Sequence, residues 1–174
     1  PATVTAADLA DKCRRAKDRA WVDMAFYVGA TPDNAGDLAV LERLPGCAGV
    51  KLFMGSSTGT LLVADDSAIA AVLANGLRRV AIHAEDEERL RSRFTIVAGG
   101  ADVGQHPAWR DVETAVNATR RVLALAEGVG RPVHILHVST AEELAILKDH
   151  RDIATVEVTP QHLTLAAPGC YEAL

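Results

Sequence analysis

Hydrophobic and polar positions switch along the chain between two periods, and the switches mark out a repeating order of elements. From Thr5 to Lys17 the segment TAADLADKCRRAK puts Leu9, Cys13 and Ala16 on one helical stripe, with Thr5 in place as an N-cap. WVDMAFYVGA alternates Val22, Met24 and Phe26 among β-formers and is closed by TPDNAG, so a strand and a loop are expected. A short helix over residues 37–44 leads through Pro45 and Gly46 into AGVKLFMGSSTG, an apolar run followed by a Gly and Ser loop. Residues 67–75 read as helix, RRVAIHAEDE as a strand running out into acidic residues, and residues 112–127 as a long amphipathic helix ended by GVGRP. PVHILHVST is the next buried strand, AEELAILKDH the next helix, and ATVEVTPQHL the last strand with its following loop.

About five strands therefore alternate with helices, and no hairpin signal joins two of them, which makes this α/β sequence. Near-continuous apolar strands imply burial on both faces, and right-handed crossovers then give a parallel sheet. Two architectures remain: a doubly wound sheet, or part of a (β/α)8 TIM barrel. A whole barrel takes about 250 residues, so 174 supply only some of its strands. No GxGxxG opens a helix after a strand, which removes the main reason to prefer a dinucleotide-binding sheet.

Composition narrows the function classes. Hydrophobic residues make up 49% and charged residues 24%, which excludes disorder and coiled coil, and with only 4% aromatics the core is filled by Ala, Val, Leu and Ile. A net charge of -5 argues against a nucleic-acid surface, and the one dense basic run, Arg14, Arg15, Lys17 and Arg19, reads as a solvated helix face. Cys13, Cys47 and Cys170 are widely spaced with no CxxC pair, which fits a reducing, cytoplasmic setting. No run approaches the roughly 18 apolar residues that cross a bilayer, so no membrane partner is expected. The chain opens on Pro1 and enters helix-like sequence at once, so the numbering is expected to start inside a longer gene product.

In parallel α/β folds function collects at the C-terminal ends of the strands. Three polar residues stand out there: Lys51 inside VKLFM, His83 ending VAIH, and His137 in HILHVS. Each has an ordinary reading, a snorkelling lysine or a satisfied core histidine. A buried lysine, however, gains neutral amine, which adds carbon dioxide to give a carbamate whose two oxygens can bridge two cations. Imidazoles converging beside it are strong zinc-ligand candidates. His134, three residues from His137, is expected on the opposite strand face as a structural residue. The loop Gly55 to Gly59 is a weaker candidate for approaching substrate. His106, Pro107, Trp109 and Arg110 read as packing or loop anchoring, while Glu85 and Asp86 read as solvated loop acids, close enough in sequence to His83 to offer it a hydrogen bond.

The segments GVKLFMGSSTG, AIHAEDE, HPAWRDVE, PVHILHVSTAEEL and VEVTPQHL resemble successive blocks of class I dihydroorotases, within the metal-dependent amidohydrolase superfamily that includes hydantoinases and allantoinases. The resemblance covers nearly the whole chain, and KLFMGSSTG and HILHVST are the parts nearest to dihydroorotases. It implies that residues 1–174 are the central portion of one metal-dependent hydrolase barrel domain, about strands 3–7 with their helices, lacking the first strands and the last. It implies Lys51, carboxylated, with His83 and His137 as ligands of one or two zinc ions. The implied activity is a hydrolase acting on a cyclic amide C–N bond, interconverting dihydroorotate and N-carbamoyl-L-aspartate in pyrimidine biosynthesis. An allantoinase or dihydropyrimidinase is the neighbouring alternative, and a catalytically silent scaffold subunit the contrasting one. The first-strand HxH pair and the proton-relaying aspartate of the last strand are expected outside this chain, so no catalytic residue is assigned here. The isolated piece is expected neither to fold normally nor to turn over substrate. Where many relatives carry Pro-His-His-Leu, this chain has Gln161 before His162. The partner implied is a small molecule, with a homodimer suggested by the same resemblance.

Overall fold

The computed structural model describes residues 2–56 and 61–172, and of the loop candidates Ser57, Thr58 and Gly59 lie outside the described residues. Five short strands carry the framework: β1 (Phe26–Gly29), β2 (Cys47–Phe53), β3 (Val80–His83), β4 (Val133–Ile135) and β5 (Ala154–Val156). They form one sheet in the order β1-β2-β3-β4-β5, each strand parallel to the one before it. A doubly wound sheet reverses its strand order, whereas the wall of a (β/α)8 barrel adds each strand beside the last, as here.

Between and around the strands lie α1 (Ala6–Ala16), α2 (Leu38–Leu41), α3 (Asp66–Ala74), α4 (Glu87–Arg93), α5 (His106–Trp109), α6 (Val112–Val129), α7 (Ala141–Leu147), α8 (Pro160–Thr164) and α9 (Gly169–Glu172). Local chemistry sets the ends of the longer ones. Thr5 caps α1 in a reciprocal box with Asp8. Asp65 caps α3 and Asp111 caps α6. Gly130 closes α6 in the left-handed conformation that glycine adopts without a Cβ penalty.

Alternation along the strands divides the sheet into two faces. Val50, Leu52, Val80, Ile82, Val133 and Ile135 are buried on one face and join the core with Ile69, Val72 and Leu73 of α3 and Ala118, Val122, Leu123 and Ala126 of α6. The opposite face carries Tyr27, Lys51, Ala81, His134 and Thr155, and it is the face that a closed barrel turns inward.

The N-terminal ends of the strands hold a buried ion pair. Glu42 and Arg131 are 1% and 2% exposed and meet at 2.7 Å, while Glu42 Oε1 accepts from the backbone N–H groups of Leu77 and Arg78. Arg131 Nε donates in turn to the Arg78 carbonyl, so the pair ties together the segments entering β2, β3 and β4. Gly76, at φ +124°, passes so close that a Cβ would lie 2.5 Å from an Arg131 nitrogen.

Several sequence expectations are corrected. Val22 and Met24 are exposed and lie before β1, because pairing starts only at Phe26, opposite Cys47. Alternation without a neighbouring strand does not make a strand. The run PVHILHVST is strand only over Val133–Ile135. Residues 160–164, expected as loop, form α8, opened by Pro160 at its first turn. Helix α4, started by the Asp86 cap, emerges from the acidic run after β3.

Two stability outcomes follow. Glu42→Ala leaves Arg131 buried without its countercharge and is expected to cost about 3–5 kcal/mol in urea unfolding of the complete protein. The second concerns Asp111, whose carboxyl is held far below its usual range by the Arg89 guanidinium, with the Thr114 hydroxyl and N–H adding to the effect against partial burial. A carboxyl with a depressed folded-state pKa contributes fully above its unfolded value of about 4 and loses that contribution as pH falls below it. Asp111→Asn, which keeps the cap and drops the charge, is expected to flatten the loss of stability below about pH 4 in acid titrations followed by circular dichroism.

Candidate metal centre

The sheet register decides which strand residues share a face and a level. Gly29 pairs with Lys51, Lys51 with Ala81, Ala81 with His134 and His134 with Thr155, which makes one row across the inward face. One step nearer the C-terminal ends, Phe53 pairs with His83. Lys51 and His83 therefore lie on the same face of adjacent strands, one level apart.

His137 comes to this face by a different route. Strand β4 ends at Ile135, although the Leu136 N–H still donates to the Ile82 carbonyl. His137 has φ +42°, in the left-handed region where histidine is several-fold enriched among non-glycine residues but still uncommon. That turn carries its ring back over the sheet edge, and His137 Nε2 stands 3.0 Å from His83 Nδ1. The rings meet edge to face with centroids 5.0 Å apart.

The expectation for His134 was wrong in one respect. It faces the same side as Lys51, because the left-handed turn after β4 breaks the alternation from which its opposite placement was inferred. Its role as a structural residue is in keeping with its partners: Nδ1 lies 2.8 Å from the Thr155 hydroxyl and Nε2 lies 3.3 Å from Glu157.

Electrostatics at Lys51 and His137 favour neutral nitrogen. Burial pushes the Lys51 amine down to about 7, with Glu157 opposing in part. The ammonium has sparse compensation: Nζ contacts the Leu52 carbonyl at 3.2 Å and sits 4.0 Å over the Phe53 ring. His137 is likewise lowered, first by burial and then by the neighbouring His83. A lysine with a large neutral fraction and an imidazole held neutral are the protonation states a divalent cation requires of its ligands.

The residues fit such a cation in two respects. Two nitrogens that each lie about 2.0–2.1 Å from a tetrahedral zinc are separated by roughly 3.3 Å, near the 3.0 Å between His83 Nδ1 and His137 Nε2. The remaining nitrogen of His83, Nε2, is buried without a hydrogen bond, and Glu85 Oε2 lies 2.8 Å away, off the line a hydrogen bond needs. A carboxylate beside the far nitrogen of a metal-binding imidazole is the common supporting arrangement. Among the described residues no group of three or more His, Cys, Asp or Glu side chains gathers for a metal.

Around the two imidazoles opens a cleft of about 400 Å³ whose walls include Glu85, Arg110, Ser139, Gln161 and His162. Arg110, expected in packing or loop anchoring, does anchor the strand exits through Ser56 and Glu85, whereas Ser139 was not expected here. The ion pair of Arg110 with Glu85 joins residues 25 positions apart, with no periodic pattern to betray it. Among the described residues no helix is long and apolar enough to cross a membrane.

No family model matches the chain. Among curated proteins, an allantoinase of Streptomyces avermitilis is 32% identical over 176 residues, covering 96% of this chain and 38% of its own length. A dihydroorotase of Methanosarcina acetivorans is 28% identical over 179 residues, with coverage of 96% and 38%. Among solved structures, the L-hydantoinase (dihydropyrimidinase) of Arthrobacter aurescens matches with a TM-score of 0.85 at 24% identity, over 98% of this chain and 40% of that one. A D-hydantoinase structure matches with a TM-score of 0.77 at 25% identity, over 94% and 37%. This chain thus spans about 38% of the length of the curated relatives it matches. The five parallel strands with their helices are part of a (β/α)8 barrel of the hydantoinase kind. Its likeness over nearly its whole length to allantoinases and dihydroorotases in sequence, and to hydantoinases in fold, supports its place in the amidohydrolase superfamily.

Proposed function

We propose that this chain supplies the central strands of a zinc-dependent cyclic amide hydrolase, a dihydroorotase that interconverts dihydroorotate and N-carbamoyl-L-aspartate. The observation that carries the metal reading is the meeting of His83 Nδ1 and His137 Nε2 at 3.0 Å, one sheet level from a half-buried lysine. The choice of dihydroorotate is supported by the dihydroorotase-like segments around Lys51 and His137 and by the dihydroorotase relatives. Allantoin is the second substrate to consider, because allantoinases at 32% identity stand among the relatives.

The roles of the side chains follow from their surroundings. Desolvation leaves Lys51 with a substantial neutral fraction near pH 7, and the free amine adds carbon dioxide with release of one proton, giving an anionic carbamate with two oxygens. His83 and His137 present Nδ1 and Nε2 respectively toward the shared position, and Glu85 lies beside the far nitrogen of the His83 ring. These three groups would hold one or two zinc ions, which would supply Lewis acidity toward water and toward the ring amide. The cleft walls enclose the reacting ring, and the further ligands and the proton-relaying acid come from parts of the complete protein outside these 174 residues.

Replacing Lys51, His83 or His137 by Ala in the complete protein is expected to lower zinc content and to reduce kcat/KM by more than about 100-fold, the upper range for supporting residues of a metal site. Metal analysis of each variant beside its kinetics checks this, and full zinc occupancy in all three would sink the ligand assignment. The zinc-loaded complete protein is expected to open dihydroorotate, whereas the isolated 174 residues do not. A higher kcat/KM for allantoin or hydantoin would reject dihydroorotate as the substrate.

A further inference from the structure

We propose that Glu87 and Arg110 are positioning residues that clamp Ser56 from two sides and so seat the chain leaving the Lys51 strand against the wall of the cleft, an assignment that rests on the cyclic amide hydrolase reading of that cleft. Ser56 follows β2 by three residues, and each of its polar groups is engaged. Glu87 Oε2 accepts from the Ser56 backbone N–H at 2.7 Å and from its hydroxyl at 2.6 Å. Arg110 Nη2 donates to the Ser56 carbonyl at 2.8 Å. One residue is thus held at three points by two opposite charges, 31 and 54 positions further along the chain.

The setting of these charges argues against a chance surface contact. Glu87 is buried, and a carboxylate withdrawn from water is stable only where it is paired and hydrogen-bonded. Arg91 satisfies its Oε1 at 2.7 Å from one turn along the same helix, and Oε2 is given wholly to Ser56. Arg110 lies over the Trp109 ring at 4.6 Å, and its other terminal nitrogen pairs with Glu85, the carboxylate beside His83. With both terminal nitrogens occupied, Arg110 lines the cleft as a brace and not as a free cation for substrate. Gly55 supplies an independent sign that the path of the chain is fixed here. A Cβ at that position would lie 2.7 Å from the Glu85 Cβ and 2.8 Å from its carbonyl oxygen, so the segment leaving β2 runs in direct contact with the segment leaving β3.

The clamp joins the exit of the lysine strand to the exit of the first histidine strand without touching Lys51, His83 or His137 through Glu87 or Arg110 directly. Its loss is therefore expected in substrate affinity and in local order, with the metal retained. The test uses the zinc-loaded complete protein with Arg110→Ala, Arg110→Lys, Glu87→Gln and Ser56→Ala. Arg110→Ala and Glu87→Gln are expected to keep the zinc content of the unaltered protein and to raise KM for dihydroorotate by on the order of tenfold, as befits loss of charge-assisted hydrogen bonds. Their kcat is expected to stay within about threefold, since the bonds are the same in ground and transition states. Ser56 amide hydrogen exchange is expected to speed up by on the order of tenfold, with Arg110→Lys recovering part of both effects because an ammonium still donates to the carbonyl. Ser56→Ala, which removes only the hydroxyl and spares the fold, is expected to show a smaller rise in KM of the same kind. Unchanged KM and exchange in Arg110→Ala and Ser56→Ala would overturn the clamp, and so would loss of zinc in the Arg110 variants. If the unaltered protein opens no cyclic amide, the hydrolase reading fails by itself, and Ser56 exchange still decides the clamp: an unprotected Ser56 amide there overturns it.

Discussion

Parallel strands hydrogen-bonded in fixed register carry Lys51, Ala81 and His134 to one level of the sheet and Phe53 and His83 to the next, and that ladder is the frame onto which the left-handed turn brings His137. A slip of one residue between β2 and β3 would turn the lysine into the helix layer and bring Val50 or Leu52 to the inward face. The register is held by the apolar residues of the other face, which are buried against α3 and α6 and have no room for a polar exchange. Core packing on one side of the sheet thus specifies chemistry on the other.

The two ends of the sheet treat buried polar groups in opposite ways. At the N-terminal ends, Glu42 accepts from two backbone N–H groups and from Arg131, with its charge matched and its oxygens occupied. At the C-terminal ends, His83 Nε2 is buried without a hydrogen bond, two imidazole nitrogens face each other at 3.0 Å, and the neighbouring amine is desolvated. A barrel protein concentrates stability at the first end and reactive, incompletely satisfied groups at the second. The left-handed backbone at His137 belongs to the second kind, since a conformation that costs of order 1 kcal/mol persists where the surrounding structure imposes it.

The bracing at the C-terminal end is made of contacts distant in sequence. Arg110 reaches Glu85 and Ser56, and Glu87 reaches Ser56 from the first turn of α4. Helix α4 and the turn of α5 beside Trp109 bring those charges to the exits of β2 and β3, and neither element was expected from the apolar periodicity. Helix α4 is short and rich in charge and α5 is a single turn of four residues, so no hydrophobic stripe marks them.

By itself the sequence determined the alternation of strand and helix, the parallel sheet, the cap at Thr5, and the presence of an amine and two imidazoles at strand exits, because these depend on local periodicity and on residue type. The tertiary structure alone decided that Val22 and Met24 stay outside the sheet, that His134 shares a face with Lys51, that His137 turns back upon His83, and that Arg110 and Glu87 converge on Ser56. Each of those depends on which strand lies alongside, on one left-handed residue, or on charges brought together across 25 or more positions, and none of these leaves a periodic trace in the chain.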